Sequence, residues 1–114
     1  MEAAMLMSVE LERERAPEFQ YELQAFKIGP VSLIGLPGEP FVEAQLAIKL
    51  ASPSALNLVA HCANGYACYI APLAACARGG HEIRKKPSQW TKLEPGAFER
   101  IVHETGILLK ELYS

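Results

Sequence analysis

VSLIGLPGEPFVEAQLAIKLAS, residues 31 to 52, decides the fold. Val31 to Leu36 is a short apolar run between turn signals, the pattern of a strand buried on both faces. Pro37-Gly38-Glu39-Pro40 then breaks the run. Pro40 suits the first position of a helix, where its missing N–H costs nothing, and Phe41, Ala44, Ile48 and Ala51 recur at helical spacing until Pro53 stops the pattern. A strand, a tight junction and a helix follow one another within some twenty residues.

Upstream of that stretch the period is two. Phe19, Tyr21, Leu23 and Ala25 alternate with Gln20, Glu22 and Gln24, the phase shifts at Phe26 and Ile28, and Gly29-Pro30 supplies a turn into Val31. Before the break at Pro17, Met5, Met7, Val9 and Leu11 alternate with Ser8, Glu10 and Glu12 in the same way. These read as a meander of two or three strands. Downstream, Leu56 to Cys62 is apolar enough for a further strand, and Pro72 to Ala77 makes a short helix ended by Gly79-Gly80. Arg84 to Lys92, with the single Trp90, reads as a loop. From Pro95 onward Phe98, Ile101, Val102, Thr105, Leu108, Leu109 and Leu112 mark a long amphipathic helix whose weakest point is Gly106. The expected architecture is a single α+β domain over residues 1–114: a mainly antiparallel or mixed sheet with two longer helices and one short helix packed on it.

Composition narrows the function. Half of the 114 residues are hydrophobic and 21% are charged, the balance of a chain that folds. A formal net charge of -2 provides no basic footprint, so nucleic acid and anionic membrane surfaces are not expected partners. No window approaches the roughly 18 consecutive apolar residues of a membrane span. Cys62, Cys68 and Cys76 form no CxxC pair, and MEAAMLMSVELERER at the amino terminus is too short in apolar residues and too acidic for a signal peptide. Both point to a reduced, cytoplasmic setting.

Two features carry possible chemistry. Glu39 stands at a strand-to-helix junction, where it either caps the helix or serves as a ligand. Asn64-Gly65-Tyr66-Ala67-Cys68-Tyr69 is a turn followed by two tyrosines three residues apart, whose phenols either pack under the turn or meet a carboxylate or metal. His61 lies on the strand leading into that turn, as a substitute ligand or a hydrogen-bonded histidine. His103 belongs to the surface of the long helix. The cysteines sit among alanines and glycines, where small buried hydrophobes are the default.

Taken in order, PGEPF with its helix, a strand, NGYxxY, a small helix, GGHE at Gly79 to Glu82, and W-x-x-LEPGA with a long helix resemble the end of the catalytic region of neutral or alkaline ceramidases. The likeness runs from about Phe19 to the carboxyl terminus, over the last portion of a family member. It implies zinc-dependent hydrolysis of the amide bond of ceramide-like substrates, at one zinc ion held by two histidines, a glutamate and a tyrosine. By motif Glu39 matches the glutamate ligand and Tyr69 the tyrosine ligand, with Tyr66 its alternative in the same motif. His81 stands where the family has a tyrosine. The two histidine ligands lie far upstream in the family, so this chain alone brings two oxygen donors and is expected neither to hold zinc tightly nor to be catalytically complete.

Three functions follow as expectations. The chain is a piece of a ceramidase-like hydrolase completed by an upstream complementary chain; or it is a small non-catalytic protein, a homo-oligomer assembled through its sheet, with the strand from Met5 to Leu11 the element expected to pair or swap; or it carries a self-sufficient site made from Glu39, Tyr69, His61 and His81.

Overall fold

The structure is a computed structural model, and it describes residues 20–65, 67–78, 93–94 and 96–114. The strand expected over Met5 to Leu11, the loop over Arg84 to Lys92, Tyr66 and His81 lie outside the described residues.

Strand β1 (Gln24–Ile28) turns at Gly29-Pro30 into β2 (Val31–Gly35), with Ile28 opposite Val31 and Gln24 opposite Gly35. Gly29 has φ +59, and the following proline ring fixes φ near about −65°. That pair of signs is the type II′ pattern, one of the two turns that suit a two-residue link between twisted antiparallel strands. The ladder sits in the second half of the alternating stretch, so residues 20–23 precede the strand rather than open it. After β2 the chain makes a two-residue strand β3 (Glu39–Pro40) and helix α1 (Glu43–Ala51), then returns as β4 (Leu56–Ala60) parallel to β2, Val31 facing Leu56 and Gly35 facing Ala60. The three-stranded sheet therefore has the order β1-β2-β4 and is mixed. Strand β5 (Tyr69–Ile70) pairs with β3 in a separate parallel ladder, and helices α2 (Leu73–Arg78) and α3 (Ala97–Leu112) complete the described elements. The α+β class holds, with two longer helices and one short one.

Pro40 belongs to β3 and not to the first turn of α1, a correction with a plain cause. Glu39 N–H donates to Cys68 O at 2.8 Å and Phe41 N–H donates to Ile70 O at 3.0 Å. Pro40 falls between these two donors, where the ladder asks for no N–H, so a proline is tolerated.

One face of the sheet is covered. Ile34 is fully buried and Val59 half-buried, against Ala44 and Ile48 of α1 and Phe98, Ile101 and Leu109 of α3, with Leu36, Ala67 and Ile70 closing the same core. Thr105, also fully buried, satisfies its hydroxyl by donating to Ile101 O at 2.7 Å within the helix. Leu73 N–H donates to Glu99 Oε2 at 3.0 Å, joining the start of α2 to α3, and Lys27 Nζ stands 4.7 Å from the Tyr113 ring centroid, joining β1 to the end of α3.

Among the described residues the opposite face is left uncovered, which corrects the reading of Val31 to Leu36 as buried on both sides. Phe26, Ile28, Leu33, Leu56 and Leu58 alternate with the inward residues and are 36% to 62% exposed. An unbroken apolar run does not say whether both of its faces find cover.

A polar cluster fixes the end of the parallel pair. Ser32 and Ser52 hydroxyls donate to Asn57 Oδ1 at 2.5 and 2.6 Å, and Ser54 N–H donates to Ser52 Oγ at 3.0 Å. Ser54 Oγ is 2.9 Å from both Pro30 O and Leu56 O. Ser32 and Asn57 are register partners, so a one-residue slip of β4 would take its acceptor from the buried Ser32 hydroxyl.

Candidate functional site

The segment after β2 and the segment after β4 run side by side and are stitched almost wholly by backbone. Leu36 N–H donates to Ala60 O at 2.9 Å, Ala63 N–H to Leu36 O at 3.1 Å, Cys62 N–H to Gly38 O at 2.7 Å and Gly38 N–H to Gly65 O at 3.2 Å. Gly38 has φ +74, and a Cβ there would meet Ala67 Cβ and Cys68 O, each at 2.9 Å. Only glycine permits so close a pass. On the outer side the half-buried Tyr21 hydroxyl donates to Pro37 O at 2.5 Å, and burial raises its phenol well above the ordinary tyrosine range. Asn64 Nδ2 donates to Gln24 Oε1, tying the turn back to β1.

Glu39, Pro40, Phe41, Val42, His61 and Tyr69 line an open cleft of about 360 Å³ at this seam. Glu39 and Tyr69 are register partners in the β3–β5 ladder, both half-buried. In a parallel pair opposed residues present their side chains to the same face. Of the residues singled out in the sequence, the fold therefore brings Glu39, Tyr69 and His61 to one cleft. Glu39 is not the N-cap residue of α1. The helix starts at Glu43, after Val42, whose side chain makes no capping hydrogen bond. His103 is on the exposed side of α3.

The strand expected to reach Cys62 ends at Ala60, and His61 and Cys62 are both exposed. Cys62 adopts φ +53, the left-handed region that a non-glycine residue enters at a cost of about 1–2 kcal/mol. Along a strand adjacent side chains point to opposite faces. Here the alternation is broken, and Cys62 Sγ lies 3.9 Å from His61 Nδ1. Donor atoms of Glu39, His61 and Cys62 all lie within 4.8 Å of one another. Cys62 was thus missed as a site residue by the default reading of cysteine as a small buried hydrophobe, which fits Cys68 but not Cys62. The signal available was a His-Cys pair immediately before an Asn-Gly turn.

The donor set bears on zinc directly. Glu39 and Tyr69 offer oxygen alone, a poor match for an ion that favours nitrogen and sulfur in company with at most one or two oxygens. With the imidazole of His61 and the thiol of Cys62 beside the carboxylate, the set fits.

Comparison of the chain with protein-family models, with curated proteins and with solved structures yields no match. Among the described residues no helix is long and apolar enough to cross a membrane.

Proposed function

We propose that this chain is the carboxyl-terminal part of a ceramidase-like catalytic region, a half-site that contributes Glu39 and Tyr69 to a zinc amidohydrolase and is catalytically incomplete by itself. The observation that supports it is the β3–β5 ladder, in which a carboxylate and a phenol from motifs thirty residues apart are register partners on one cleft wall. When bound, zinc would polarise the amide carbonyl and activate water. Glu39 would hold the cation through its carboxylate, Tyr69 through its phenol oxygen, and the ring of Phe41 and the methyls of Val42 would line the approach of an acyl chain. The two histidine ligands would come from outside these 114 residues. Three cysteines with no CxxC spacing suit a reducing, cytoplasmic compartment.

Fatty-acid release from a ceramide-like amide tests this. The purified chain alone is expected to be inactive, and activity is expected on co-expression with a ceramidase amino-terminal region carrying the two histidines, then to be lost in Glu39→Gln or Tyr69→Phe. Zinc-dependent hydrolysis by the chain alone, abolished by Glu39→Gln, would overturn the incompleteness.

A second reading, a non-catalytic homo-oligomer, is favoured by the open sheet face. Phe26, Ile28, Leu33, Leu56 and Leu58 together expose several hundred Å², the size at which an apolar patch marks an interaction surface. A two-fold contact between two copies would double that to roughly 1,000 Å², the lower bound for a specific interface. Sedimentation equilibrium on the chain is expected to show a dimer that Phe26→Asp with Leu58→Asp converts to monomer. A monomer at high micromolar concentration removes this reading.

A further inference from the structure

The stretch from Ala60 to Gly65 is built in an uneconomical way. Cys62 and Asn64 both take left-handed backbone, at φ +53 and +60, in an otherwise ordinary loop after a strand. Left-handed non-glycine residues persist where surrounding structure over-determines them, and the bonds from Cys62 N–H to Gly38 O and from Ala63 N–H to Leu36 O do so here. The result of the conformation at Cys62 is chemical. It turns two adjacent side chains to one side, next to a carboxylate fixed on the neighbouring ladder strand.

We infer that Glu39, His61 and Cys62 form a three-donor site for a borderline-soft divalent cation, with Zn²⁺ the ion of choice. Three observations bear on it together. First, the donors are one oxygen, one nitrogen and one sulfur, and their atoms lie within 4.8 Å of one another. In a tetrahedral zinc site, with Zn–S about 2.3 Å and Zn–N and Zn–O about 2.0–2.2 Å, donor atoms stand roughly 3.3–3.7 Å apart. The 3.9 Å between Cys62 Sγ and His61 Nδ1 is already near that value. Side-chain rotation closes the rest, because both residues are exposed.

Second, the set discriminates. Thiolate and imidazole select zinc, cobalt or copper over magnesium and calcium, which demand oxygen shells. Thiolate and carboxylate charges together balance a dication, so the filled site is neutral. Third, three protein donors leave one coordination position, and Glu39 and His61 line a cleft with Tyr69, Phe41 and Val42 on its walls. An open position facing a cleft is the arrangement of a reactive rather than a purely structural zinc site. The fourth ligand is water or an oxygen ligand entering along the cleft.

This site shares Glu39 with the half-site proposed above but does not rest on it, since it uses no residue from outside the chain and does not require Tyr69. The experiment is cobalt titration of the purified, chelator-treated and reduced chain, followed by absorption. One equivalent of Co²⁺ is expected to bind, with a thiolate-to-cobalt charge-transfer band in the near ultraviolet and the intense visible bands of four-coordinate cobalt, both displaced by one equivalent of Zn²⁺. Cys62→Ser is expected to abolish the charge-transfer band, and His61→Ala and Glu39→Gln each to weaken binding at least ten-fold. Cys76→Ala is expected to keep spectrum and affinity. His61 and Cys62 are exposed, so circular dichroism of their variants is expected to match the parent and to separate lost ligation from lost fold.

A charge-transfer band that survives in Cys62→Ser, a weak six-coordinate spectrum, or no cobalt binding at micromolar concentration would each overturn the site. None of these would touch the half-site reading, whose readout is amide hydrolysis after complementation and its dependence on Tyr69.

Discussion

Replacing Gly38 with alanine is expected to destabilise the chain by about 2–4 kcal/mol, and replacing Gly29 with alanine by no more than about 1 kcal/mol. Both glycines have left-handed φ, +74 and +59. Each substitution therefore carries the conformational cost of roughly 1–2 kcal/mol, offset in part by the smaller entropy of the unfolded alanine chain, about 0.4–1 kcal/mol. The difference lies in the neighbours. A Cβ on Gly29 meets nothing within 4 Å, whereas on Gly38 it meets Ala67 Cβ and Cys68 O at 2.9 Å and Ala67 N at 3.1 Å. Two of those atoms are backbone and cannot rotate away, so the seam must part, at an overpacking cost of about 1–3 kcal/mol. Urea denaturation followed by far-ultraviolet circular dichroism reads both values from the transition midpoint. With a slope of about 1–3 kcal/mol/M, the Gly38 variant is expected to shift by a molar unit or more and the Gly29 variant by a fraction of that. Equal losses in the two variants would refute the close pass of the Gly38 loop against residues 67–68. So would unchanged cobalt binding in Gly38→Ala together with a small loss, since the Cβ would then have found room without moving Glu39.

Three further outcomes are expected. Gly106→Ala places a methyl where nothing lies within 4 Å, in the interior of α3, and is expected to raise stability by about 0.5–1 kcal/mol by the same denaturation assay; a loss would refute the open space at that position. Asn57→Ala removes the shared acceptor of the Ser32 and Ser52 hydroxyls and is expected to cost about 2–3 kcal/mol, with a loss below about 1 kcal/mol counting against the buried cluster. For Tyr21, the folded-state pKa stands above the unfolded value of about 10, so its contribution is intact below that pH and is lost as pH rises through the folded value; stability measured upward from about pH 9 is expected to fall less steeply in Tyr21→Phe than in the parent, and identical slopes would exclude burial of the phenol.

The long elements were legible in the sequence because their apolar residues repeat at the period of the structure they form. Phe98, Ile101, Thr105 and Leu109 of α3 are buried as the pattern requires, and so are Ala44 and Ile48 of α1. Local periodicity does not say what lies across from a face, so the exposure of Leu33, Leu56 and Leu58 was not readable. The two-residue ladder of β3 and β5 has no period at all. It exists because Glu39 and Phe41 find acceptors some thirty residues away, and a PGEP junction reads equally as a helix start until that partner is known. The cleft was half legible. Gly38, Glu39 and the Asn-Gly turn carry recognisable local signals, and Tyr69 follows from its motif. The orientation of Cys62 has none, because cysteine is not a residue from which left-handed backbone is expected, and its side chain is aimed by a hydrogen bond to Gly38 that only the tertiary fold supplies.

The seam beneath the cleft is held by main-chain donors and acceptors at Leu36, Gly38, Glu39, Ala60, Cys62, Ala63, Gly65 and Cys68. Their bonds are indifferent to what the lining side chains are, apart from the glycine at 38. A substitution at the exposed His61 therefore leaves the frame that carries it in place. Over generations such a frame can trade one set of liganding groups for another by single substitutions, each intermediate still folded.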